Sequence, residues 1–261
     1  MATERRKMSN IVKVQRRLDF RNGSASHGWN TEGQINSHNV VLQDYFTGIT
    51  LDTTNTWTVG LPGTSDTIAI SQVAGGSVLM TTGTADNDSC NIGSAIIFSG
   101  NKRAYMEVDI TITDVSGTGV FVGFSDAAGE SNTYMAIHYP ADSLDTPASD
   151  AAGFVIDADH ASSSIMIASV KGNTDTTPVD LGVDWADGER RTLRVELVGD
   201  GTAAAFYMRD SDGTTSTPIT GYLADSVTAS TLLSVCVHAI TRANDGSNTV
   251  RIHSIKAGEL L

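Results

Sequence analysis

From Tyr45 onward the chain is a succession of short apolar runs, alternating or β-branched, each cut off by Gly, Asp, Asn, Ser or Pro. No segment keeps an apolar stripe of period 3.6 through three turns, so helices cannot supply the core. Many short strands with turn residues between them predict an all-β chain, an antiparallel β-sandwich or barrel. The expected strands include "ITLDTTNTWTV", "SVLMTT", "SAIIFS", "AYMEVDITIT", "GVFVGFSD", "YMAIHY", "GFVIDA", "RTLRVELVG" and "LLSVCVHAITR". In residues 105–113, Met106, Val108, Ile110 and Ile112 fall on one face and Tyr105, Glu107, Asp109, Thr111 and Thr113 on the other. Leu193, Val195 and Leu197 alternate in the same way with Thr192, Arg194 and Glu196. Both patterns predict a sheet buried on one side and wetted on the other. "GVFVGFSD" is apolar on both faces apart from its glycines, which predicts a central strand.

The charge is divided along the chain. Residues 1–39 hold seven basic groups (Arg5, Arg6, Lys7, Lys13, Arg16, Arg17, Arg21) against three acidic ones, a net of +4, which leaves −17 for residues 40–261. Such asymmetry predicts that the basic segment meets something of opposite sign. The segment is poor in apolar residues and reads as an extended arm, residues 1–43, that needs a partner to order it. Nucleic acid is disfavoured as that partner: no RNA- or DNA-binding signature follows, and the acidic body would repel phosphate. No apolar run approaches the roughly 20 residues that span a bilayer. The N-terminus lacks the apolar stretch of a secretory signal, so assembly in a cytoplasm is expected. Two cysteines do not make a disulfide framework. Cys236 lies in a core-like strand and is expected to be buried. Cys90, in the loop-like "ADNDSCNIG", is open to pairing with it or to remaining free.

In order, "GGSVLMTTG", "AYMEVDITITD", "TGVFVGFSDA", "DAAGFVIDAD", "DWADGERRTLRVELVGDGTAAAFYM" and "NTVRIHSIKAG" resemble the strands of concanavalin A-like lectin/glucanase jelly rolls, over roughly residues 45–258. The resemblance implies a two-sheet jelly-roll body over residues 44–261. Members of that superfamily serve as lectins, glycanases and structural modules, so the fold alone assigns no activity.

In the glycanase branch the active strand reads Glu-x-Asp-x-Glu, or Glu-x-Asp-x-x-Glu with a bulge. Retaining hydrolysis needs two carboxyl groups with opposed protonation states on that strand. Glu107 matches the first acid and Asp109 the second, but the third position is Thr111, or Ile112 with a bulge. Neither side chain donates a proton at neutral pH, and Asp114 lies beyond a turn. The chain is therefore expected not to be an enzyme, and Glu107 and Asp109 are expected on a solvated face. Carbohydrate binding without hydrolysis would use Tyr105, Glu107 and Asp109.

Lectin-type jelly rolls often carry calcium, which takes six to eight oxygens from short carboxylates and carbonyls. "ADNDS" offers Asp86 and Asp88 as candidate ligands, and further Asp pairs occur in "DAD", "DWADGE" and "RDSDG". The competing explanation is turn chemistry, since Asp and Asn bond their own backbone in tight turns. Otherwise no cofactor is expected. No zinc spacing, nucleophile elbow or phosphate loop is present.

These features together predict a non-enzymatic structural protein of a tailed-phage virion, a capsid decoration or cement protein. Its partners would be the major capsid protein and neighbouring copies of itself, as a dimer or trimer. The alternative is a lectin-like or receptor-binding module on a virion surface.

Overall fold

The structure, a computed structural model, describes residues 38–63, 65–127, 135–161, 164–210, 219–242 and 248–260. The chain divides into Met1–Asn39 with Leu261, and Val40–Leu260, which carries the sandwich. The seven basic residues from Arg5 to Arg21 lie outside the described residues, as do Tyr134 and Asp212.

Two antiparallel eight-stranded sheets face each other. The first runs in the order β14 (Ile219–Leu223), β13 (Ala203–Asp210), β12 (Arg190–Val198), β6 (Ala104–Ile112), β16 (Thr249–Leu260), β4 (Val78–Thr81) and β3 (Thr67–Ile70). A further strand, β1 (His38–Asp44), pairs with β16, so the first described strand begins inside the segment expected to be arm. The second sheet runs β10 (Thr174–Asp175), β9 (Ser164–Lys171), β8 (Asp150–Asp157), β7 (Thr118–Ser125), β15 (Ser234–Thr241), β5 (Ser89–Ser94) and β2 (Trp57–Gly60). In it β11 (Val179–Asp184) pairs with β9.

The core between the sheets is the one that the alternation predicts. Met106, Val108, Ile110 and Ile112 of β6 and Leu193, Val195 and Leu197 of β12 meet Val120, Val122 and Phe124 of β7 and Phe154 of β8. Each such side chain contributes about 1.5–3 kcal/mol on leaving water. β7 is central, as expected, and the reason for its apolar second face is a second core. On the outer face of the second sheet, Phe121, Val155, Met166, Cys236 and Ile240 pack beneath Met135, Ile137 and Tyr139.

Three expected strands differ. "YMAIHY" alternates, but residues 135–139 form that irregular cover, joined to Asp145 only by an isolated bridge at His138. "ITLDTTNTWTV" is a strand only from Trp57, because the Asp52 carboxylate accepts the N–H groups of Thr54 (3.1 Å) and Asn55 (3.0 Å) and turns the chain. "SAIIFS" yields to Ser89–Ser94, which places Cys90 in a strand, not a loop. Both cysteines are free and buried. Cys90 belongs to the core between the sheets and Cys236 to the core outside, so the second sheet separates them.

Close strand packing in that sheet depends on Gly153, which sits opposite Gly123. A Cβ on Gly153 would lie 2.5 Å from the Phe121 ring. Gly153→Ala must displace that ring and is expected to cost about 1–3 kcal/mol, to be read from a urea denaturation midpoint.

Candidate functional site

The outer face of the first sheet holds the residues that the glycanase comparison singles out. Tyr105, Glu107, Asp109 and Thr111 point outward from β6, the complement of its inward apolar set. The register sets Arg194 of β12 opposite Glu107 and Arg190 opposite Thr111. On the other side Lys256 of β16 stands opposite Glu107, and a register shift between Ile252 and Ser254 leaves His253 beside Asp109.

This face is not the solvated surface expected. Tyr105 is 0% exposed, Glu107 4% and Asp109 5%. The carboxylates exchange water for cations delivered by neighbouring strands. Arg190 grips Asp109 with two nitrogens, Nε donating to Oδ1 at 2.9 Å and Nη2 to Oδ2. Arg194 donates from Nε to Glu196 Oε1 (2.6 Å) and from Nη1 to Glu107 Oε2 (3.4 Å), and its guanidinium stacks 4.5 Å above the Tyr105 ring. Planar, bidentate and aromatic contacts of this kind favour arginine over lysine.

The electrostatics follow from burial and pairing. Burial pushes the Tyr105 phenol upward and the Lys256 ammonium downward. The hydrogen bond that Arg190 donates to Asp109 raises the arginine's pKa. Burial, then the Arg190 charge, lowers His253, whose Nε2 is 3.0 Å from Thr111 Oγ1.

The third catalytic position stays empty of acid. Thr111 is engaged with His253, Ile112 is in the core, and the Asp114 carboxylate accepts the N–H groups of Ser116 (3.0 Å) and Gly117 (3.2 Å) in the turn after β6. Glu107 and Asp109 are each paired with an arginine of β12, Glu107 with Arg194 and Asp109 with Arg190. Glu107→Gln is expected to cost about 1–3 kcal/mol of stability, as a lost charge-assisted hydrogen bond. Assayed on a β-glucan, the parent and the variant should both release no reducing sugar.

Among the described residues, Asp side chains of these clusters serve turns and ion pairs. Asp88 Oδ2 accepts the Ala85 N–H at 3.1 Å, Asn87 Nδ2 donates to Asp86 Oδ2 at 3.1 Å, and Asp187 Oδ1 accepts the Val115 N–H at 2.8 Å. Among the described residues no group of three or more His, Cys, Asp or Glu is placed to hold a metal.

A buried ionic centre escaped the sequence reading. Arg242, following β15, forks onto Asp157 at the end of β8 (Nε–Oδ1 2.9 Å, Nη2–Oδ2 2.7 Å), and both side chains are at most 1% exposed. Arg242 also donates to Asn87 Oδ1 (2.6 Å) and to His138 Nδ1 (3.0 Å), and His138 Nε2 donates to Asp145 (3.1 Å). His138 is not in a strand, contrary to expectation. Its pKa is lowered by burial, then by the Arg242 charge. The only trace of this centre in the sequence is a charged residue closing each of two apolar strands.

No family model matches this sequence, and no curated protein is similar to it at the sequence level. Solved structures do match in fold. The carbohydrate recognition domain of Emp47p superposes with a TM-score of 0.57 at 12% identity, covering 89% of this chain and 100% of that one. Lectin II from Ulex europaeus gives 0.53 at 13%, covering 85% and 100%. A glycosyl hydrolase family protein from Mycobacterium fortuitum gives 0.50 at 12%, covering 84% and 99%. Two facing antiparallel sheets and these superpositions identify the fold as the concanavalin A-like jelly roll.

Proposed function

We propose that this chain is a non-enzymatic structural component of a tailed-phage particle, a decoration protein that docks on the capsid through its N-terminal arm. The observation that carries the reading is the charge division: +4 in residues 1–39 against −17 in the remainder. The closed, ion-paired face on β6 supports a role without catalysis. Arg5, Arg6, Lys7, Lys13, Arg16, Arg17 and Arg21 would make the docking contacts with the major capsid protein and with neighbouring copies, strapping seams between capsomers. Exposed charges of this kind are screened over about 8 Å at physiological salt, so occupancy should fall as salt rises.

Deleting residues 1–39 is expected to abolish binding to purified capsids in a sedimentation assay while the sandwich stays folded. Undiminished occupancy would sink the arm as the docking element.

A second reading, glycan binding, draws on the likeness of fold to a carbohydrate recognition domain and a plant lectin. Under it Tyr105, Glu107 and Asp109 would support a site from within, because they are too buried to contact a glycan directly. A glycan array run with and without calcium, showing no signal above background, would remove this reading.

A further inference from the structure

Three of the chain's six histidines converge on one stretch of irregular backbone, residues 135–148. Met135, Ala136, Ile137, Tyr139 and Ala148 of this stretch cover the outer core of the second sheet. Unlike a strand, it is fastened there by separate bonds from several elements and not by a ladder, among them Arg242 to His138, Ala161 N–H to Asp142 and Thr146 to Asp175. His238 Nδ1, projecting from β15, accepts the Ala136 N–H at 3.0 Å, and Asp157 Oδ2 accepts the Tyr139 N–H at 2.9 Å. The Asp142 N–H donates to the Asp159 carbonyl at 3.1 Å.

We propose that residues 135–148 form an acid-released cover over the second sheet, latched by His238 and, secondarily, by His138.

The bonding fixes the protonation that closure needs. His238 must be neutral with Nδ1 unprotonated, because that nitrogen accepts from Ala136. A proton on Nδ1 would set donor against donor. It would also place a charge in a fully buried site, beside Asn91 of β5 and the Phe121 ring 5.5 Å away, where Nε2 has no hydrogen-bond partner. His138 accepts from Arg242 through Nδ1, so protonation there turns its ring against a guanidinium, although Asp145 and Asp157 offset part of that charge. The third histidine also borders the stretch: His160 Nε2 lies 3.7 Å from Asp142 Oδ1, and its ring packs against Tyr139 in a T-shaped pair with centroids 4.5 Å apart.

Burial pushes His238 down to about 3, and burial with the Arg242 charge also lowers His138. The closed form therefore binds protons less readily than the open form, in which an imidazole titrates near 6.5. Opening is independent of pH above that value and is favoured as pH falls from it toward the closed-state value. One proton taken up per opening makes the opening constant rise roughly tenfold per pH unit.

The two cysteines give the test an internal control, since Cys236 lies under the cover and Cys90 in the core between the sheets. The full-length protein is labelled with a pyridyl disulfide reagent, and amide exchange is followed, between about pH 7 and pH 4. After correction for intrinsic exchange, protection at Ala136 and Tyr139 is expected to fall roughly tenfold or more per unit. Cys236 should become reactive while Cys90 stays protected. His238→Gln, which cannot be protonated, should flatten the dependence by one proton. Flat protection across the range would overturn the proposal, as would simultaneous labelling of both cysteines or an unchanged slope in the variant. If the variant does not fold, the parent's slope and the order of cysteine labelling decide the matter alone.

Discussion

Arg242→Leu is expected to lower the free energy of unfolding by about 3–5 kcal/mol, the largest single effect that the structure implies. The guanidinium is 1% exposed and the Asp157 side chain 0%, so the substitution strands a carboxylate with neither water nor a cation. The loss measures that stranding, not the worth of the pair, because bringing both charges out of water already offsets much of their attraction. Arg242→Leu combined with Asp157→Asn should therefore recover a substantial part of the loss, since an amide needs no counter-ion. The single amide oxygen of asparagine can accept only one of the two N–H groups that Asp157 accepts now, Tyr139's at Oδ2 or Asp159's at Oδ1, so the recovery is expected to be partial. Urea denaturation of the parent, the single and the double variant checks this. A single variant as stable as the parent would mean that Asp157 finds its compensation elsewhere.

The second large effect is expected at Arg194, which is 2% exposed and links Glu107, Glu196 and the Tyr105 ring. Arg194→Met keeps much of the stem's packing but removes the charge between two glutamates. The expected cost is about 3 kcal/mol. Adding Glu107→Gln should reverse part of it, through a coupling of about 1 kcal/mol or more between groups in contact. If the two effects simply add in thermal or urea denaturation, Glu107 and Arg194 are not acting as a pair. The cycle also separates structure from catalysis, for the polar face would then be accounted for by stability alone.

What could be foreseen about this molecule depended on how local the cause was. The alternation in β6 and β12 reports the pleat itself, so the inward set from Met106 to Ile112 was legible. The absence of a third acid at Thr111 was legible for the same reason. Period two tells which residues share a face but not what stands over that face. Glu107 and Asp109 therefore read as solvated, when their partners Arg194 and Arg190 arrive from strands 87 and 81 residues away. Residues 135–139 alternate because they must lay apolar side chains against a sheet, a demand that a covering segment shares with a strand. Cys90 was misplaced because the polar turn residues before it masked a short strand that is flanked by β15 and β2 and buried against the facing sheet.

The second sheet is apolar on its inner face and, over β7, β8, β9 and β15, carries a second core on its outer face as well. The opposite sheet has its centre sealed by paired charges. Among the described residues the middle of each broad face is closed, and apolar side chains meet water at the rim. There the chain leaves Ile96, Ile97 and Leu232 in water at 39%, 51% and 54% exposure, brought side by side where Phe98 bridges Leu233.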